Sequence, residues 1–211
     1  TIQIKTHAAD LSLSGSVEPL IEFTNELEIG LAIPNAGMET TGSFLKHDLA
    51  DEQRLIQLNI SAPLHIAHHY GRLMSQRGRG GIILLSSIAG YGSTPYAANY
   101  SASKAYILSF GEALHYELKK QGIDVLALSP GFTDTPMVAN SGINWAHLGL
   151  PYMDAYSVAL SGLNALGKKT SIIPGHLNNI LMAARKYLAS RAMNLWIMGH
   201  LLEGAIPPDR L

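Results

Sequence analysis

Tyr100 and Lys104 stand four residues apart in Tyr-Ser-Ala-Ser-Lys, and Ser87 precedes the tyrosine by thirteen. On a helix that spacing puts the phenol and the ammonium on one face, one turn apart. An ammonium beside a phenol favours the phenolate, so the ordinary tyrosine pKa of about 10 is expected to fall toward working pH. A tyrosine tuned in this way gives and takes a proton. A serine hydroxyl beside it can hold an oxygen whose charge changes during reaction. On a plain surface helix the same pair would do nothing, so the surrounding chain decides between the two readings.

The elements around the trio alternate. Short apolar runs rich in Ile and Val, bounded by Gly, Pro or Ser, predict strands near 2–6, 29–34, 81–86, 123–128 and 170–174. Longer stretches at helical spacing predict helices near 16–27, 51–76, 98–120, 154–166 and 177–203. Gly122 after Lys119-Lys120 makes a reasonable end for the helix that carries Tyr100. Strand–helix alternation of this kind implies an α/β fold with a parallel sheet and helices on both faces.

Around the trio, five motifs follow one another in order. Asn35-Ala36-Gly37 follows the apolar Gly30-Leu31-Ala32-Ile33, and Asn59 stands in Leu58-Asn59-Ile60-Ser61. Ser86-Ser87-Ile88-Ala89-Gly90 ends the run Gly81-Ile82-Ile83-Leu84-Leu85, and the Tyr-x-x-x-Lys pair comes next. Pro130-Gly131-Phe132-Thr133-Asp134-Thr135 closes the series. Over residues 1 to 175 the chain resembles the short-chain dehydrogenase/reductase family. The resemblance implies a Rossmann-like doubly wound sheet and a nicotinamide cofactor, NADP ahead of NAD. It implies a catalytic set of Ser87, Tyr100, Lys104 and Asn59, with Asn59 fixing a water that links Lys104 to solvent. On the same ground Asp10-Leu11 flank the adenine, Asn35-Ala36-Gly37 line the cofactor, and Lys104 with Tyr100 meets the nicotinamide ribose. Pro130-Gly131 pack on the nicotinamide, and Thr133 and Thr135 meet its carboxamide. A homodimer or homotetramer is implied, using helix 51–76 and the helix beyond Tyr100 with Tyr106, Phe110, Leu114 and Leu118.

The sequence departs from the family pattern in two places. Pro34 replaces the first asparagine of Asn-Asn-Ala-Gly and removes a backbone N–H. The Gly-rich loop that holds a pyrophosphate after the first strand has no counterpart. Gly78-Arg79-Gly80-Gly81 precedes a strand, and Gly90-Tyr91-Gly92 carries Pro95 where a third glycine is needed, so both read as turns. The expectation is a single domain, 1–211, that lacks the first strand–helix–strand–helix unit. Thr1–Thr6 then matches the family's third strand with no neighbour to pair with, free to lie beside the next strand, stay loose or pair elsewhere.

Residues 133–153 follow a strand and carry Met137, Val138, Ile143, Trp145, Leu148, Leu150, Tyr152 and Met153. Ligands of α/β sheets bind beyond the carboxyl ends of the strands, so this segment is expected to be a substrate loop. Its apolar character suits a bulky or lipid-like ketone or alcohol, although the same side chains could simply pack the loop onto the core. Residues 177–203 read as one amphipathic helix that covers the pocket, packs on a second subunit or touches a membrane surface.

Composition narrows the classes. A net charge of -1 without a basic tract gives nucleic acid no footing. The absence of cysteine excludes disulfides and thiolate metal sites and fits a reducing cytoplasm. The opening residues lack the charged-then-apolar pattern of a secretory signal. His65, His68 and His69 lie at helical spacing with no carboxylate partner, so no metal site is expected. Two other readings stay open. One is a catalytically silent member that acts as an interaction subunit. The other is a serine hydrolase with Ser101 as nucleophile in Ser-x-x-Lys and Lys169-Thr170-Ser171 near a strand.

Overall fold

Gly80–Leu85 (β2) and Ile123–Leu128 (β3) are apolar on both faces, as strands covered by helices on two sides must be. They pair in parallel over their whole length, Gly80 opposite Ile123 and Leu85 opposite Leu128. Leu31–Ala32 (β1) adds to β2, and Ser171–Ile172 (β4) adds to β3, also in parallel. The order is β1-β2-β3-β4. The computed structural model describes residues 2–144 and 152–211.

Alternate residues of the strands feed two cores. Ile82, Leu84, Ile123 and Val125 face Val17, Ile66, Tyr70, Met74 and Ile107. These belong to the helices Val17–Phe23 (α1), Ala62–Arg77 (α3) and Ala98–Lys119 (α4). Ile83, Leu126 and Leu128 face the other way, onto Val158 of Ala155–Ala165 (α6). Each fully buried Ile or Leu contributes about 1.5–3 kcal/mol, so the period-2 alternation fixes the register of the central pair. The architecture is therefore the expected α/β one: a parallel sheet with helices on both faces.

Several elements differ from expectation. Residues 2–10 form no strand, and Ile2 and Ile4 are 90% and 82% exposed. Alternating Ile2 and Ile4 favour an extended chain, but a strand needs a hydrogen-bonding neighbour, and β1 offers only two paired residues. The segment expected at 51–76 is continuous but irregular: Leu49–Ile56 (α2) passes through a π turn, Gln57–Ser61, into α3. The helix expected at 177–203 is two helices, His176–Leu188 (α7) and Arg191–Glu203 (α8). Ala189 is extended between them, and the Ser190 hydroxyl accepts from Met193 N–H at 3.1 Å to start α8. Phe110, Leu114 and Leu118 are half-buried and pack against this chain's own core. Among the described residues no helix is long and apolar enough to cross a membrane.

Candidate active site

The carboxyl end of β2 and the first turns of α4 meet at the site. Ser86 Oγ donates to the Lys104 carbonyl at 2.7 Å, tying the strand end to the helix. Ser87 follows in extended backbone and opens a short 3-10 turn, Ile88–Tyr91, its Oγ accepting from Ala89 N–H at 3.2 Å. The same hydroxyl faces the Tyr100 phenol and acts against the rise of its pKa. Lys104 is buried, donates from Nζ to the Leu85 carbonyl at 3.0 Å, and lies 5.7 Å from the Tyr100 ring centroid. The helix thus brings Tyr100 and Lys104 to one face and the strand brings Ser87 to them, as the spacing predicted.

The protonation balance differs from expectation. Burial pushes the Tyr100 phenol up to about 12; the Ser87 hydroxyl opposes this and the Glu39 anion adds to it. Burial, not the neighbouring Lys104 ammonium, sets the direction of the shift. Burial also lowers the Lys104 ammonium to about 8, with Glu39 holding it up. Glu39 itself is raised to about 7 by burial, against the pull of Lys104. Sequence reasoning missed this carboxylate. Its only signal was an acidic residue two places after Asn35-Ala36-Gly37.

Asn59 lies in the π turn, 2% exposed. Its Oδ1 accepts from Met38 N–H at 2.9 Å, and its Nδ2 donates to the Met38 carbonyl at 2.8 Å and to Ser103 Oγ at 3.1 Å. Both amide protons are therefore used inside the protein. Gly37 lies against the group: a Cβ there would stand 3.3 Å from Asn59 Oδ1 and 3.6 Å from Lys104 Nζ. Asn35 and Ala36 are exposed beside it.

The third segment comes from the end of β3. Pro130 accepts at its carbonyl from Ile88 N–H at 3.0 Å, and Gly131 sits so close to Asn178 that a Cβ would meet Nδ2 at 2.6 Å. Thr133 Oγ1 donates to the Gly131 carbonyl at 3.0 Å and Thr135 Oγ1 to the Thr133 carbonyl at 3.3 Å. Thr135 precedes Pro136–Asn140 (α5) but its side chain caps nothing there. Of the expected substrate loop, Met137 reaches to 4.0 Å from the Gly37 Cβ position, whereas Ile143 packs with Leu202 and Ile206 in a third core. Trp145, Leu148 and Leu150 lie outside the described residues. Asp10 is exposed, its carboxylate held below the usual range by hydrogen bonds from Ser12 at 2.6 and 3.0 Å; Leu11 packs on the first core.

Residues 2–144 match the short chain dehydrogenase family model. The chain belongs to the short-chain dehydrogenases. It is 32% identical over 176 residues to a 7beta-hydroxysteroid dehydrogenase of Clostridium sardiniense, covering 83% of this chain and 67% of that one. A solved 7beta-hydroxysteroid dehydrogenase superposes with a TM-score of 0.83 at 27% identity, covering 90% of this chain and 75% of that chain. A short-chain dehydrogenase from Sphingobium yanoikuyae, solved with NADPH, gives a TM-score of 0.69 at 28% identity, covering 85% and 72%.

The residues present fit the nicotinamide end of the dinucleotide that this family uses. Gly37 leaves bare the side next to Lys104, and among the described residues one of the three Lys104 N–H donors is used. A ribose diol is the group such an ammonium can hold. The serine-hydrolase reading does not survive. Ser101 Oγ donates to the Ala98 carbonyl at 3.0 Å and accepts from Thr94 N–H at 3.3 Å, while Lys104 turns to Leu85. Among the described residues no three His, Cys, Asp or Glu side chains form a metal-binding group.

Proposed function

We propose that this short-chain dehydrogenase interconverts a bulky, apolar ketone and its secondary alcohol, using NADP(H) or NAD(H). The observation that carries the proposal is the junction of β2 and α4, which sets Ser87, just past the strand's end, and the Lys104 ammonium, 5.7 Å from the ring centroid, around Tyr100. When bound, the nicotinamide supplies or takes the hydride. The protein supplies the proton. In reduction the ketone oxygen accepts hydrogen bonds from Ser87 and Tyr100, and Tyr100 gives its O–H proton to that oxygen as the negative charge develops. In oxidation the alcohol proton returns to the Tyr100 oxygen. Lys104 orients the ribose and supplies positive charge near the phenol, and Asn59 holds the Gly37 segment against both. Gly131 and the two threonines border the carboxamide side.

Similarity to a 7beta-hydroxysteroid dehydrogenase supports a rigid polycyclic substrate, and Met137 beside Gly37 supports an apolar wall. A homo-oligomer and a cytoplasmic enzyme accord with the same reading. The test is ketone-dependent NADPH oxidation with a 7-ketosteroid. Turnover is expected, falling by about 10²–10⁴ in Tyr100→Phe. Equal rates in the two proteins would overturn the assignment.

A further inference from the structure

We propose that Arg210 is a positioning residue for the substrate side of this site: its guanidinium and its own carbonyl clasp together two loops that converge on Lys104. The proposal deepens the dehydrogenase reading and rests on it for its effect on turnover.

Arg210 leaves a stiff, anchored turn. Pro207 and Pro208 fix two successive φ angles, and the Arg210 N–H closes the 3-10 turn Pro208–Arg210 onto the Pro207 carbonyl at 2.9 Å. Just before it, Leu202, Ala205 and Ile206 are buried with Ile143 in the third core. The backbone is thus held in place while the arginine side chain is exposed, so replacing that side chain opens no cavity.

The first loop follows α5. Arg210 Nη1 donates to the Ser141 carbonyl at 2.6 Å, and Asn144 N–H donates to the Ala205 carbonyl at 2.9 Å. A cationic donor on a carbonyl is the stronger kind of hydrogen bond. Between the two bonds, Gly142 has a φ of +72°, and a Cβ there would stand 3.0 Å from Nη1. Only glycine leaves the guanidinium that room without strain. The second loop follows Gly37. Ser43 N–H donates to the Arg210 carbonyl at 2.7 Å, and Gly42 N–H to the Tyr96 carbonyl at 2.8 Å. Gly42 has a φ of +126°, and a Cβ there would meet the Arg210 carbonyl oxygen at 2.7 Å. Tyr96 leads directly into α4, so the clasp also reaches the start of the catalytic helix.

The consequence falls on α5. Its approach is tied by Asp134 N–H to the Met153 carbonyl at 2.9 Å, and its exit is tied by Arg210 at Ser141. Met137, one turn before Ser141, is the side chain that α5 brings to the Gly37–Lys104 corner. With both ends fixed, that apolar wall keeps its place. A large rigid ketone rests on such a wall, whereas a small ketone needs little of it. Arg210 therefore governs the fit of a bulky substrate and leaves the proton transfer to Tyr100.

The test compares wild type, Arg210→Ala, Arg210→Lys and Ser43→Pro as full chains. Ser43 has a φ of −61°, which suits proline, so that variant removes one N–H and little else. Without cofactor or ketone, amide hydrogen exchange at Ser43 and Asn144 is expected to quicken about tenfold in Arg210→Ala, with β2 and β3 unchanged. Unchanged exchange at both amides overturns the proposal. With NADPH, the KM for a 7-ketosteroid is expected to rise about tenfold in Arg210→Ala and in Ser43→Pro, with kcat within about twofold of wild type and cyclohexanone reduction unaltered. Arg210→Lys, which can still donate to Ser141, should recover most of the loss. Equal losses on the steroid and on cyclohexanone, or a fall in kcat with KM unchanged, overturn it. Should the wild type reduce neither ketone, the dehydrogenase reading fails while the exchange rates still decide whether Arg210 clasps the loops.

Discussion

The side-chain amide of Asn59 pairs with the backbone of Met38 in both directions, accepting at 2.9 Å and donating at 2.8 Å. A third bond, from Nδ2 to Ser103 Oγ at 3.1 Å, joins the same amide to α4. One side chain thus clamps the segment after β1 to the catalytic helix.

Asn59→Leu should therefore cost more than its volume suggests. It removes three hydrogen bonds and leaves the part-buried Met38 N–H and carbonyl without their partner. The expected destabilisation is about 2–4 kcal/mol, read from urea unfolding. Asn59→Asp keeps the acceptor and loses both donors, so it should fall between the two.

Tyr100 should resist ionisation in the protein without cofactor. Burial and the Glu39 anion raise its pKa to about 12, so the phenol is the dominant form throughout the range below. A spectrophotometric titration of wild type minus Tyr100→Phe should show no phenolate signal up to about pH 10.5, where an ordinary tyrosine is more than half ionised. Reduction, which needs the phenol, should hold its rate across neutral pH. Oxidation, which needs the phenolate, should rise with pH.

Much of the site was legible because its geometry is local. Tyr100 and Lys104 share a face by helical spacing alone, and Ser87 ends an apolar strand that any α/β sheet would bring to that helix. Glu39 was not legible: no spacing relates it to Lys104, and its meaning lies in a buried oxygen that only the folded chain reveals. The reversed tyrosine shift has the same origin, since sequence gives the neighbour but not the burial. Ile2 and Ile4 show the converse failure, where an alternating pattern was present and its pairing partner was not. The break before α8 was encoded in Ser190, a helix start overridden in reading by the apolar run around it.

Glu52 offers a test of how the loop before α2 is held. It is 4% exposed, and its oxygens accept from Asn99 Nδ2 at 2.6 Å and meet His47 Nδ1 at 2.6 Å. Asn99 also donates to the Glu52 carbonyl at 3.0 Å, one residue before Tyr100. Glu52→Ala takes a side-chain acceptor from the half-buried His47 and Asn99 and should lower stability by about 1–3 kcal/mol in urea unfolding. Since Asn99 begins the turn that carries the tyrosine, activity at a permissive temperature should fall as well. Glu52→Gln, which keeps one acceptor, should lose less of both.

Folding stability should carry the imprint of the Glu39–Lys104 pair. Glu39 has a folded pKa raised from the ordinary 4.5 to about 7, so the native state binds its proton more tightly than the unfolded chain. Its contribution is present below 4.5 and is lost as pH rises through 7, a loss on the order of 3 kcal/mol. Lys104 has the opposite dependence. Its pKa falls from 10.5 to about 8, so stability is lost as pH drops through that interval. The two losses overlap near neutral pH, and the urea midpoint should pass through a trough between about 7 and 8. Glu39→Gln removes the first loss, so its midpoint should stay nearly flat from pH 5 to 7 where the wild type declines. Parallel curves for the two proteins over that interval would mean that the carboxyl titrates as an exposed one does.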